Sequence, residues 1–253
     1  RQILADLRDH IKANNGKVDF DTFRESVASG RGIGKSALVP WLVIWMLSSR
    51  IGSTTIVSAN SEAQLRSVTW AEITKWLAMS LNSHWFEIAA TRIMPAKWLT
   101  ELVERDLKKG TRYWSVEGRL WSEENPDAYA GVHNFDGVML IFDEASGIPD
   151  SIWSVSDGFF TENTPHRFHL AFSNPRRNTG RFFECFHRLR HRSGLLQALQ
   201  EARRGGAAAH RSHLDGALGV VLGRGDGVLY DVRARPDHDL HHRHRRAVRR
   251  PVH

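Results

Sequence analysis

Between Ser29 and Ser36 the chain reads Ser-Gly-Arg-Gly-Ile-Gly-Lys-Ser, with glycines at positions 30, 32 and 34 followed by a lysine and a hydroxyl. Glycine lets backbone N–H groups approach and wrap a polyphosphate. A helix that opens directly after such a turn adds the positive end of its dipole. Lys35 would then reach β- and γ-phosphates, and the Ser36 hydroxyl would hold Mg²⁺. One departure from G-x-x-x-x-G-K-[ST] is Ser29, which stands where that pattern has glycine. An ordinary glycine-rich turn is the competing reading.

A second set of residues favours the phosphate reading. Val138-Met139-Leu140-Ile141-Phe142 runs into Asp143-Glu144, a continuous apolar stretch ending in two acids. Such a stretch suits a strand buried on both faces of a parallel sheet. Carboxylates at its C-terminal end fall where open α/β sheets bind ligands. Asp143 is placed to hold Mg²⁺, and Glu144 to take a proton from an attacking water. Another apolar stretch, Phe168 to Phe172, ends in Ser173-Asn174-Pro175. Ser173 and Asn174 would sit where a γ-phosphate is sensed, although a strand closing on an Asn-Pro turn reads equally naturally.

The elements that must position these residues alternate in type. Phe23 to Ala28 reads as a strand feeding the loop, and Ala37 to Leu47 as a buried apolar helix, broken by Pro40 and too short to cross a bilayer. Ser53 to Ala59 reads as a strand. Ser61 and Gln64 match a capping box that opens a helix through about Met79. A helix is expected over Ala96 to Lys108, a short hairpin over the site from Arg112–Val116 and Arg119–Trp121, and a helix over Asp150 to Phe160. Ile3, Leu4, Leu7 and Ile11 mark one helix face near the N-terminus. The fold class is therefore α/β, a P-loop NTPase-type, mostly parallel sheet flanked by helices. Most of the nine tryptophans lie among aliphatics, so core packing is preferred to base stacking. Cys185 is the one cysteine; it forms no internal disulfide, which fits an intracellular setting.

SGRGIGKS (29–36), RLWSEENPDAYAGVHN (119–134), GVMLIFDEASGIPD (137–150) and FSNPRRNTGRFFECF (172–186) together resemble the ATPase domain of the large terminase subunit of tailed bacteriophages and prophages. The resemblance covers about residues 1–189. In that family the phosphate loop commonly lacks its first glycine and carries an arginine just after the position of Gly30, so Ser29 and Arg31 both fit. The resemblance implies that Arg31 touches the γ-phosphate as a sensor or cis finger, and that Ser173 and Asn174 couple hydrolysis to domain movement. It implies ATP and Mg²⁺ as cofactors, and hydrolysis that drives double-stranded DNA into a procapsid. It also implies a portal protein, a small terminase subunit and a homo-oligomeric ring as partners, with no membrane. The implied place of work is the host cytoplasm rather than the mature virion. Arg92, Arg112 and Arg119 are candidates for an arginine finger acting between subunits. A glutamine that reads adenine precedes the first helix in this family; Gln2 lies near that place but out of register. The chain opens on Arg1 rather than Met, from which a missing beginning is expected.

Composition divides the chain. Residues 1–189 balance 22 Lys and Arg against 22 Asp and Glu. Residues 190–253 hold 13 arginines, no lysine and six acids, which is the whole net charge of +7, together with eight of the 14 histidines. No Trp, Phe, Ile, Met, Thr or Asn occurs there. This segment is expected to be largely disordered, and an out-of-frame or degenerate replacement for a nuclease domain. Asp215, Asp226, Asp231, Asp237 and Asp239 lack the apolar strand context of a two-metal site, so nuclease activity is not expected. A basic tail that binds nucleic-acid phosphates non-specifically is the competing reading. For the whole chain, the alternatives to a packaging ATPase are another P-loop DNA motor of helicase type, or a non-catalytic remnant that binds nucleotide or DNA.

Overall fold

The computed structural model describes residues 2–15, 17, 19–30 and 34–187. The expectations for residues 190–253, and for Arg31, Gly32 and Ile33, lie outside the described residues.

Seven strands form one sheet in the order β1-β7-β6-β2-β5-β4-β3. The five strands β1 (Phe23–Ala28), β7 (Arg167–Ser173), β6 (Val138–Asp143), β2 (Thr54–Ala59) and β5 (Ser115–Gly118) run parallel. Two short strands, β4 (Arg92–Pro95) and β3 (Phe86–Ile88), finish the β5 side in antiparallel pairing. The central strands β6 and β7 read as largely apolar runs because the sheet is covered on both faces. One face carries α1 (Gln2–Asn14), α2 (Lys35–Ser49), α4 (Ala71–Ala78) and α5 (Lys97–Asp106), which bury Leu7, Met46, Ile73 and Val103 against Val57, Ile141 and Phe168. On the opposite face, α6 (Asp150–Ser156) and the segments around Tyr129 and Phe159 cover Ile56, Leu140 and Phe142. This is the expected α/β class, with an antiparallel edge added.

Local chemistry accounts for most boundaries. Ser61 caps α3 (Glu62–Gln64), its hydroxyl accepting from the Gln64 N–H at 3.2 Å. The helix then runs through a π-helical turn, Leu65–Trp70, into α4. Gly34 precedes α2 in the left-handed region at φ 92°.

Three expectations are corrected. Pro40 does not break α2, which runs from Lys35 to Ser49 with Pro40 buried inside it. Only the Ser36 carbonyl loses its intrahelical partner, because Pro40 has no N–H to offer. Leu4 is 46% exposed, so Ile3 and Leu7 carry the buried face of α1. No hairpin joins 112–116 to 119–121. Residues 115–118 instead form β5, paired in parallel with β2, and the Arg119 N–H continues that ladder to Val57 O at 2.9 Å. Tryptophan packing is mixed: Trp70, Trp114 and Trp153 are buried, whereas Trp41 and Trp98 are about half exposed.

Candidate active site

Because β1, β7 and β6 are adjacent and parallel, their C-terminal ends meet at one edge of the sheet. Ala28 is in register with Ser173, and Asp143 with Phe172. At the usual inter-strand spacing of ~4.8 Å, the glycine-rich loop and the two acids are about 10 Å apart, with Ser173-Asn174 between them. The three motifs are thus brought together by strand order, although 139 residues separate Lys35 from Asn174.

Lys35 is the hub. Its ammonium donates to Ser29 O at 3.1 Å, Gly30 O at 3.0 Å and Asn174 Oδ1 at 2.5 Å. Burial pulls its pKa below the usual lysine value; Glu144 and Asp143 oppose that shift and Arg176 adds to it. Ser29 is buried, its N–H donating to Ser173 O at 3.0 Å, and its hydroxyl has no hydrogen-bond partner among the described residues. Ser36 is exposed in the first turn of α2, where N–H groups have no intrahelical acceptor.

Asp143 is held at both oxygens. Oδ1 accepts the Glu144 N–H at 3.0 Å, and Oδ2 accepts the Thr69 hydroxyl at 2.6 Å. Glu144 adopts the left-handed region, φ 51° and ψ 41°. That conformation costs a residue with a side chain roughly 1–2 kcal/mol and concentrates at functional sites. Its Oε2 is buried without a hydrogen bond, and Arg176 is 3.9 Å away. Ser173 is fully buried; its hydroxyl accepts the Ser146 N–H at 3.1 Å and lies 2.8 Å from Ser146 Oγ. The tip of β7 is thereby tied to the turn after Glu144.

The donor set suits Mg²⁺. A hydroxyl and a carboxylate are hard oxygen ligands, and Mg²⁺ keeps several waters while binding one or two protein groups plus substrate phosphates. Among the described residues no group of three or more His, Cys, Asp and Glu forms a closed metal cage. Ser36 and Asp143 are the residues that would hold the ion.

No family model matches the chain. A curated relative, the probable terminase large subunit of Enterobacteria phage P7, is 30% identical over 174 residues, 67% of this chain. The chain is a sequence relative of the large terminase subunit. It spans about a third, 32%, of that terminase's length. Among solved structures it is similar to the large terminase of bacteriophage HK97, with TM-score 0.47 and 14% identity over 74% of this chain and 35% of that one. It is also similar to the large terminase ATPase domain of Thermus phage P74-26, with TM-score 0.46 and 19% identity over 70% and 67% of the two chains. A third likeness is to the large terminase of the thermophilic bacteriophage D6E in complex with ADP, with TM-score 0.42 and 12% identity over 66% and 38%.

Two residues of this site escape sequence reasoning. Thr69 bonds Asp143 from 74 positions away, and Arg176 faces Glu144 from just beyond Asn174. The first has no sequence signal; the paired arginines Arg176-Arg177 directly after a strand tip would have pointed to the second. Arg92, Arg112 and Arg119 gather elsewhere, around a cavity of about 390 Å³ that Glu117 also lines. Glu117 pairs with Arg119 at 2.9 Å and with Arg92 at 3.5 Å. β5 lies four positions from β1 in the sheet, so these arginines are roughly 20 Å from the loop after β1.

Proposed function

We propose that the chain hydrolyses ATP at the edge formed by β1, β7 and β6, and that residues 1–189 are the ATPase unit of a DNA-packaging motor. The observation that carries this reading is the Lys35 ammonium. It is held by neutral oxygens of its own loop and by Asn174, and Asp143 and Glu144 lie at the end of the next strand. A γ-phosphate offered to Lys35 replaces neutral acceptors by charged ones, and charge-assisted hydrogen bonds are roughly twice as strong.

In this reading the loop Ser29, Gly30, Arg31, Gly32, Ile33 and Gly34 cradles the phosphates, and Lys35 neutralises charge that develops on the γ-phosphoryl oxygens. Ser36 and Asp143 would hold Mg²⁺, which would supply positive charge to offset that of the phosphates. Glu144 orients water for in-line attack and receives its proton. Arg31 senses the γ-phosphate. Asn174 exchanges Lys35 for substrate, and Ser173 carries that change to Ser146 and the turn beyond Glu144. Arg92 and Arg119 are engaged by Glu117 beside a cavity that Arg112 also lines, and a finger drawn from these three would act on a neighbouring subunit. In the same reading the chain works on double-stranded DNA with a portal protein, a small terminase subunit and further copies of itself in a ring, in the host cytoplasm; the likeness to a probable terminase large subunit supports the packaging role in general. Among the described residues no helix is long and apolar enough to cross a membrane.

Glu144→Gln tests the assignment of chemistry. Because the amide keeps shape and removes basicity, a fluorescent ATP analogue should bind within a few-fold of the unchanged chain. Turnover should fall by about 10²-fold or more. Unchanged turnover would remove Glu144 from the mechanism, and lost binding would make it a structural residue.

A further inference from the structure

We infer that Thr69 is a positioning residue for the Asp143 carboxylate, presented by the π-helical turn Leu65–Trp70, and that it sets how tightly the site holds a divalent cation. The inference rests on the reading of Asp143 as a metal ligand.

The turn is an unusual piece of backbone with no local cause. Leu-Arg-Ser-Val-Thr-Trp contains no glycine or proline to force a wider helix, and regular α-helix flanks it on both sides. π-turns are rare and occur frequently at functional sites. One extra residue in the turn rotates the side chains after it, and here Thr69 faces the sheet, 4% exposed. Buried neighbours fix the turn on either side: Leu65 and Trp70 both lie in the core. Trp70 rests on β5 closely enough that a Cβ at Gly118 would lie 3.1 Å from its Cε3.

A helical threonine ordinarily returns its proton to a carbonyl of its own helix. Thr69 has that choice, and the distances decide it. Gln64 O is 3.4 Å from Oγ1, whereas Asp143 Oδ2 is 2.6 Å away. A hydroxyl has one proton, and 2.6 Å lies within the range for O–H donation to a charged oxygen. The Thr69 proton therefore belongs to Asp143. The other carboxylate oxygen accepts the Glu144 N–H, so Thr69 is the one side chain among the described residues that hydrogen-bonds Asp143. Together the two bonds fix the plane of the carboxylate and leave its remaining lone pairs directed outward. Removing such an outer partner typically costs roughly 10–100-fold in metal affinity or activity.

The test uses Mn²⁺ as the probe, titrated by electron paramagnetic resonance into the full chain with ADP present, beside thermal melts of each variant. Asp143→Asn should abolish tight Mn²⁺ binding. Thr69→Val, which keeps the shape and removes the proton, should weaken Mn²⁺ about tenfold or more. ADP affinity measured without metal should not change. Thr69→Ser should restore Mn²⁺ binding to within about threefold, a rescue that a packing role would not give. If Thr69→Val fails to fold, Thr69→Ala carries the same expectation. Mn²⁺ binding by Thr69→Val equal to that of the unchanged chain would overturn the inference alone, as would a serine variant as weak as the valine. Mn²⁺ binding indifferent to Asp143→Asn would overturn the metal-ligand reading and the inference with it.

Discussion

At the scale of single residues, buried charge and buried neutrality are both decided by neighbours. Lys35 keeps a proton in a half-buried place because three oxygens and two nearby carboxylates offset the loss of water. His169 shows the opposite outcome. It lies fully buried in β7 among the rings of Phe142, Trp153 and Phe160, with the Arg24 guanidinium 3.2 Å from its Nδ1. Burial first, then Arg24 and Arg181, hold its pKa well below 6.5, the ordinary histidine value. The folded-state pKa is thus lower than the unfolded one, so the unfolded chain takes the proton first. Stability is full above about pH 6.5 and falls as pH drops below it, by about 1.4 kcal/mol per pH unit for a histidine held neutral. His166, pushed down to about 4 by burial beside Arg50 and Lys109, adds a smaller loss in the same window because it is only half buried. Melting temperatures at pH 7.5 and 5.5 should differ by several degrees, lower in acid, and His169→Phe should remove part of the difference. Equal temperatures would mean that both rings ionise freely in the folded chain.

Elements are fixed by a few backbone positions that tolerate one residue type. Gly137 opens β6 at φ 132°, an angle that side chains rarely adopt. A Cβ there would meet His166 Cβ at 2.6 Å and the His166 backbone oxygen at 2.9 Å. The strand start cannot yield, since Val138 N–H donates to His166 O at 2.8 Å and Thr54 N–H to Gly137 O at 3.0 Å. Gly137→Ala should cost about 3 kcal/mol in denaturant unfolding, combining backbone strain with overpacking. Gly158→Ala, with open space around it, should be close to neutral. A neutral Gly137→Ala would show that β6 does not depend on this close approach.

The same elements explain how much of the fold is legible in the residues alone. β6 and β7 announce themselves because strands buried on both faces are nearly continuous apolar runs, and the acids and Ser-Asn at their ends stand out against that background, whereas β1 and β2, which carry Arg24, Glu25, Thr54 and Thr55, are marked by the glycine-rich loop and the capping serine that follow them. β3 and β4 do not, because strands of three and four residues at a sheet edge, carrying Glu87 and Arg92, give no pattern to count. Arg119–Trp121 reads as a hairpin strand but is none. Its tryptophan leaves the sheet to cap it, the indole N–H donating to Ala59 O at 2.7 Å. The Thr69–Asp143 bond is beyond reach, since a π-turn leaves no trace in residue types and the partners meet only once β2, β6 and the helix after β2 are in place.

At the scale of the whole molecule, strand order does the assembling. Inserting β7 between β1 and β6 puts Ser173-Asn174 between the loop and the acids, so that Lys35 and the turn after Glu144 are both hydrogen-bonded to the same strand tip. Charge is distributed separately: residues 1–189 are neutral in sum, and the net +7 is carried by residues 190–253. Attraction for a phosphate backbone would therefore be strongest through that arginine-rich segment and should fade with added salt, while nucleotide chemistry stays with the sheet. The most direct measurement is steady-state ATP hydrolysis by the purified chain with Mg²⁺, beside Lys35→Ala. Turnover that the substitution reduces by about 10²-fold or more is the predicted result. Turnover that survives the loss of Lys35, or none at all from a folded chain supplied with Mg²⁺ and DNA, would contradict the account.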